Sequence, residues 1–166
     1  MPYDFNADEM FNVAIRIEEN GARFYRRAAE LQADPANREV LEKLAAMEDR
    51  HRQTFETMKR EVSEAEKKTT VFDPEGELEQ YLAAMADTHG GEGSPAAADA
   101  LTGQETIGEI LDTALDLEKE SILFYVGLKD LVPPDLGREK LDRIIAQERQ
   151  HVIQLTALRK RMGKAP

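Results

Sequence analysis

Two short patterns in this chain have the composition of metal ligands. Glu48-Asp49-Arg50-His51 sets a carboxylate three residues ahead of an imidazole, and Glu148-Arg149-Gln150-His151 repeats that spacing 100 residues later. Residues three apart share a helix face, so each pair can bring an oxygen donor and a nitrogen donor to one point. The chain has three histidines, His51, His89 and His151, and two of them fall in the pattern. An isolated Glu-x-x-His is ordinarily a surface pair; what surrounds these two decides whether they are more. The absence of cysteine excludes disulfides, thiolate nucleophiles, iron-sulfur ligation and Cys-based zinc sites. Any metal is therefore held by oxygen and nitrogen.

Both patterns lie in long amphipathic segments. A first helix is expected from near Asn6-Ala7-Asp8-Glu9, where Asn6 caps and Glu9 reaches back, to near Leu31. Along it Phe11, Ala14, Glu18, Ala22 and Tyr25 recur at spacings of three and four, which puts Glu18 inside an apolar stripe. Asp34-Pro35 supplies the next cap and a proline at the first helical position. The second helix carries Leu41, Leu44, Glu48, His51, Phe55 and Met58 on one face and fades between Glu61 and Lys68. So short a connection makes the two helices an antiparallel hairpin.

Residues 67–102 read as a crossover, with a short helix from Asp73-Pro74 to about Ala86 and a break at His89-Gly90-Gly91 through Pro95. His89, beside paired glycines, reads as a loop residue. The third helix starts at either Thr102 or Thr106, since Thr102-Gly103-Gln104-Glu105 and Thr106-Ile107-Gly108-Glu109 both fit a capping box. Its stripe of Leu111, Ala114, Glu118, Ile122 and Tyr125 is the first helix's stripe moved by 100 positions. After Pro133-Pro134-Asp135 a fourth helix repeats the second, with Leu141, Ile144, Glu148, His151, Leu155 and Leu158. The expected architecture is therefore an all-α four-helix bundle of two repeated hairpins, 6–66 and 103–162, joined by the long crossover in a single domain of 166 residues.

Packed as a bundle, the four stripes turn Glu18, Glu48, His51, Glu118, Glu148 and His151 inward. Four ionised, unpaired carboxylates in an apolar core would cost several kcal/mol each. No lysine or arginine falls on these stripes, so the compensation is expected from protons or metal cations, or from a long basic side chain reaching in from a flanking position. Two divalent ions supply four positive charges against the four carboxylates. The donor set suits iron or manganese, with zinc as a substitute.

With these residues in view, the chain resembles the rubrerythrin-type branch of the ferritin-like superfamily. The motifs that carry the likeness are Ile17-Glu18-Glu19-Asn20 with Phe24-Tyr25, Glu48-Asp49-Arg50-His51, Leu117-Glu118-Lys119-Glu120 with Phe124-Tyr125, and Glu148-Arg149-Gln150-His151. The resemblance covers the four helices and leaves the crossover unmatched. It implies two iron ions, with Glu48 and Glu148 as bridging ligands, Glu18 and Glu118 as terminal ones, and His51 and His151 as one imidazole per metal. Tyr25 and Tyr125 are then groups that hydrogen-bond the terminal carboxylates and orient them. The implied chemistry is reaction of a di-iron site with hydrogen peroxide or dioxygen.

The chain departs from that family in two places. Rubrerythrins carry a rubredoxin-like iron site of four cysteines, which this chain lacks, so electrons are expected from an external donor such as a separate redox protein. They also carry a further glutamate three residues beyond the terminal one of the third helix, where this chain has Ser121. Glu120 is one residue short of that place, and only a local π-bulge would bring it in. Two other functions compete with peroxide reduction: ferrous iron oxidation and binding, and a non-catalytic bundle whose metals only hold it together.

Formal net charge is -11, from 22 Lys plus Arg against 33 Asp plus Glu. The simplest origin of most of this charge is a solvated helical surface. It repels nucleic acid and acidic membrane surfaces and attracts cations. The opening Met1–Asn6 has no basic or apolar leader character, and no later run approaches the ~18 apolar residues of a membrane span. A cytoplasmic, soluble protein is expected, pairing with a second copy through one bundle face as a homodimer.

Overall fold

The computed structural model describes residues 7–61, 76, 77, 80, 81, 84, 96–131 and 138–162. Four long helices carry the fold: α1 (Ala7–Glu30), α2 (Pro35–Glu61), α4 (Ile107–Leu131) and α5 (Arg138–Met162), with a one-turn helix α3 (Ala96–Asp99) ahead of α4. The closest backbone approach is inside each hairpin, α1 with α2 and α4 with α5; α1 also faces α4, and α2 faces α5.

Local chemistry sets the boundaries. Asp34 caps α2 with its carboxylate accepting from the amides of Ala36 (2.7 Å) and Asn37 (3.3 Å), and Pro35 occupies the first turn, where no amide donor is required. The structure uses Thr106 for α4: its hydroxyl accepts from the Glu109 amide (3.2 Å), and Glu109 accepts in return from the Thr106 amide (2.8 Å). The other candidate, Thr102, closes a turn instead. Glu105 accepts from the amides of Thr102 (2.7 Å) and Gly103 (2.9 Å), and Gly103 sits at φ +86°, a backbone conformation natural to glycine.

Within the crossover, residues 77, 80, 81 and 84 are helical, and Gln80 N donates to Gly76 O at 3.0 Å, in keeping with a short helix there. Tyr81 donates its hydroxyl to Leu123 O (2.8 Å), so this stretch runs beside α4. The expected ends of that helix at Asp73 and Ala86, the loop residue His89, the cap at Asn6, the fading segment 62–68 and the prolines at 133–134 lie outside the described residues. Helix α3 is an element the sequence pattern does not reveal. It packs on α1, buries Ala98, and ties to α1 through Arg23 and Asp99 at 2.5 Å.

The apolar core falls into two groups. One gathers Phe11, Phe55, Phe124, Tyr125 and Leu141, and the other Phe24, Tyr25, Leu41, Leu111 and Leu155, each residue at most 2% exposed. Burial of each such side chain contributes on the order of 1.5–3 kcal/mol. Between the two groups lies a layer of buried acids and imidazoles, which the flanking aromatic rings seal from water.

Candidate metal centre

That layer contains all six residues singled out by spacing. Glu18 comes from α1, Glu48 and His51 from α2, Glu118 from α4, and Glu148 and His151 from α5. None is more than 5% exposed. Their donor atoms form two overlapping sets. Glu18, Glu48, His51 and Glu148 each offer a ligand atom within 4.8 Å of the others, and so do Glu48, Glu118, Glu148 and His151. Glu48 and Glu148 belong to both, which is the geometry of a bridging carboxylate.

The distances bear this out. His51 Nδ1 faces Glu148 Oε1 at 2.8 Å, Glu18 Oε2 at 3.5 Å and Glu48 Oε2 at 3.6 Å. His151 Nδ1 faces Glu148 Oε2 at 3.0 Å, Glu48 Oε1 at 3.2 Å and Glu118 Oε1 at 3.3 Å. Each shared carboxylate thus turns one oxygen to each imidazole. The two rings stack with centroids 5.5 Å apart and planes 22° from parallel.

Each tyrosine serves the opposite hairpin. Tyr25 donates its hydroxyl to Glu118 Oε1 at 2.5 Å, and Tyr125 donates to Glu18 Oε1. Both hydroxyls are held well above the ordinary tyrosine pKa, by burial first and then by the charge of the facing carboxylate, so they remain donors at neutral pH. Ser121 takes no part: its hydroxyl donates to Leu117 O of its own helix at 3.0 Å. Glu120 belongs to neither donor set, and α4 is α-helical throughout Ile107–Leu131, without the π-bulge that would bring Glu120 inward.

A solved structure aligns over this whole arrangement. It is a crystal structure from Thermotoga maritima, named as a candidate ferritin-like diiron-carboxylate protein, with 23% sequence identity, a TM-score of 0.69, and coverage of 96% of this chain and 98% of that one. The fold is ferritin-like. No protein-family model and no curated protein matches the chain. The ferritin-like bundle accounts for the position of the layer, because two hairpins side by side bring four inner faces to one depth.

Whether this bundle's donors fit metal can be judged from its unsatisfied atoms. Glu18 Oε2, Glu48 Oε1, both Glu148 oxygens and the Nδ1 atoms of His51 and His151 are buried facing one another, with no hydrogen-bond partner from outside the layer among the described residues. Buried polar atoms left unpaired cost ~1–3 kcal/mol each, and more when charged. These orphaned atoms are the lone-pair donors that two cations would draw on, so the residues fit a metal pair. Tyr125 meanwhile occupies Oε1 of Glu18 and leaves its Oε2 to the layer, whereas Tyr25 donates to Glu118 Oε1, the same oxygen that faces His151.

Electrostatics point the same way. Burial, then the nearby Glu48 charge, pushes the Glu18 carboxyl well above its ordinary range, and burial pushes Glu118 up to about 7. Burial pushes both imidazoles down, yet the surrounding carboxylates outweigh it, raising His151 to about 12 and His51 likewise far above its usual value. Burial opposes ionisation of Glu148 too, but the two facing imidazoles win and hold its carboxyl low. Protons here balance the charge that metal ions would otherwise balance.

One residue of the site escapes sequence reasoning. His51 Nε2 lies 2.9 Å from Gln147 Oε1, across the α2–α5 interface. Gln147 is surface-exposed and directly precedes Glu148. Its residue type gives no hint of the role, and only the facing of α5 on α2 places it there. Among the described residues, no helix is long and apolar enough to cross a membrane.

Proposed function

We propose that this chain is a di-iron carboxylate oxidoreductase resembling rubrerythrin, which reduces hydrogen peroxide with electrons from an external donor. The observation that carries the reading is the pair of overlapping donor sets sharing Glu48 and Glu148, buried between two apolar groups. The description of the Thermotoga maritima protein as a candidate diiron-carboxylate protein supports it. Glu18, Glu48, Glu148 and His51 would hold one metal, and Glu48, Glu118, Glu148 and His151 the other.

An iron pair bound there supplies two electrons, one from each ferrous ion, which is the number needed to reduce peroxide to two waters with two protons. The chain's own part is to bind, orient and exclude. Glu48 and Glu148 fix the separation of the two positions by reaching both imidazoles. Tyr25 and Tyr125 orient the terminal carboxylates and keep their own protons at neutral pH. Phe24 beside Tyr25 and Phe124 beside Tyr125, each packed edge to face, keep bulk water from the layer. The chain holds no cysteine, so the reducing electrons come from another redox centre.

The test is anaerobic ferrous loading with a metal count, followed by stopped-flow absorbance against peroxide and dioxygen. The expected result is two irons per chain, oxidised faster by peroxide. Equal or slower reaction with peroxide overturns the peroxidase reading. The net charge of -11 favours a second reading, ferrous oxidation and binding, because an acidic surface draws cations inward. That reading requires iron uptake well beyond two per chain in a large hollow assembly; uptake that stops at two in a dimer excludes it.

A further inference from the structure

The two halves of the centre are matched residue for residue, and their partners differ on the far side of the imidazoles. His51 Nε2 faces Gln147 Oε1 at 2.9 Å. A carbonyl oxygen only accepts, so Nε2 carries the proton and Nδ1 is the nitrogen turned to the carboxylates. The position equivalent to Gln147 in the first hairpin, 100 residues earlier, is Met47, whose thioether is at best a weak acceptor. His151 Nε2 is correspondingly buried with no hydrogen bond among the described residues. Every other pairing is reciprocal: Tyr25 with Glu118 against Tyr125 with Glu18, and Glu48 against Glu148.

We propose that Gln147 is a positioning residue that makes the two metal positions unequal, by fixing the His51 ring with Nδ1 presented to its metal while His151 has no such partner among the described residues. The inference rests on the two-metal reading of the site. An imidazole whose second nitrogen is anchored donates from a fixed orientation and tautomer, and loss of such an anchor typically costs about 10–100-fold in metal affinity. The position built from Glu18, Glu48, Glu148 and His51 is therefore the tighter one and fills first. The Glu118, Glu48, Glu148 and His151 position is the looser.

Anaerobic cobalt(II) titration in competition with a chelator, read by visible absorbance, resolves the two steps in the full chain. Q147M, which copies the residue of the other hairpin, weakens the tighter step by about 10–100-fold and leaves the looser one nearly unchanged. Q147E keeps an acceptor oxygen and retains the tight step, while M47Q gives His151 the missing acceptor and strengthens the looser step. Because Gln147 is exposed, these changes at 147 leave folding intact. In the zinc-loaded protein, nitrogen-15 spectra of the histidine side chains show one ring N–H protected from solvent exchange, and Q147M loses that protection. If Q147M leaves both cobalt steps and the protected N–H as they were, the inference is overturned while the metal site stands. If the unaltered protein never binds a second cobalt, the two-metal reading falls and the inference falls with it.

Discussion

The hydroxyl of Tyr25, on α1, donates to Glu118 Oε1, on α4, at 2.5 Å, and Tyr125 returns the same bond from α4 to Glu18 on α1. Each hairpin therefore orients the terminal carboxylate of the other, and neither half of the centre is complete without the opposite repeat. Tyr25→Phe is expected to act on the metal held by Glu118 and His151, and Tyr125→Phe on the one held by Glu18 and His51. Each loss should be about 10–100-fold in affinity at one position. Mössbauer spectra of the iron-57 protein check this, since each variant should alter a different one of the two ferrous signals. Equal change of both signals in each variant would rule out the crossed arrangement.

Removing a shared carboxylate should differ from removing a terminal one. Glu48 and Glu148 each reach both imidazoles, so Glu48→Ala or Glu148→Ala is expected to abolish binding of two metals. Glu18→Ala touches only the His51 set and should leave one metal bound. Elemental analysis after anaerobic loading and desalting gives the count. Two metals retained in Glu148→Ala would refute the bridging role.

The metal-free protein should lose stability as pH rises. Burial raises Glu118 from 4.5 to about 7, so its contribution is full below pH 4.5 and is lost as pH climbs through about 7, and Glu18, which burial also holds well above 4.5, acts in the same direction. His151, raised from 6.5 to about 12, acts in the same direction above pH 6.5, since the unfolded chain gives up its proton first. Glu148, held low, matters only below 4.5. Denaturant midpoints with chelator present are expected to fall between pH 5 and pH 8, and added cobalt or zinc should remove the decline. A flat profile without metal would contradict these raised values.

Thr106 is the cap that starts α4, so Thr106→Ala should cost ~1 kcal/mol, within a range of about 0.5–2. Urea denaturation of the metal-loaded protein measures it. Glu105 in the preceding turn is held down to about 2 by the Thr102 and Gly103 amides, so its contribution is present above pH 4.5 and is lost as pH falls toward 2. The protection factors of the Thr102 and Gly103 amides, with the intrinsic pH dependence of exchange divided out, should fall over that acid interval and not above it. Protection that is unchanged down to pH 2 would show that the turn does not depend on this carboxylate.

Much of the site was legible because a repeated chain states its inner face twice. Glu18 and Glu118, Glu48 and Glu148, and His51 and His151 sit at matching places in stripes that are otherwise apolar, and a buried acid without a counter-charge is too costly to be incidental. Asp34-Pro35 could be read as a helix start for a similar reason, since cap and proline act within a few residues. Thr102 and Thr106 could not be separated this way. Both satisfy the same local pattern, and the turn at Gly103, with φ +86°, decides in favour of Thr106.

What the sequence by itself determined is the set of side chains that must be inside, because helical periodicity is a property of the chain alone. What only the tertiary structure decided is who serves whom. The tyrosines cross between hairpins, α3 docks on α1, and Gln147 reaches His51, each through contacts between residues far apart in sequence. The physical reason is that a stripe fixes which way a residue faces, whereas the partner it meets depends on how one helix is set against another. That setting also breaks the symmetry: the repeat pairs Gln147 with Met47 by register, but only packing shows that, among the described residues, one imidazole has an acceptor behind it and the other does not.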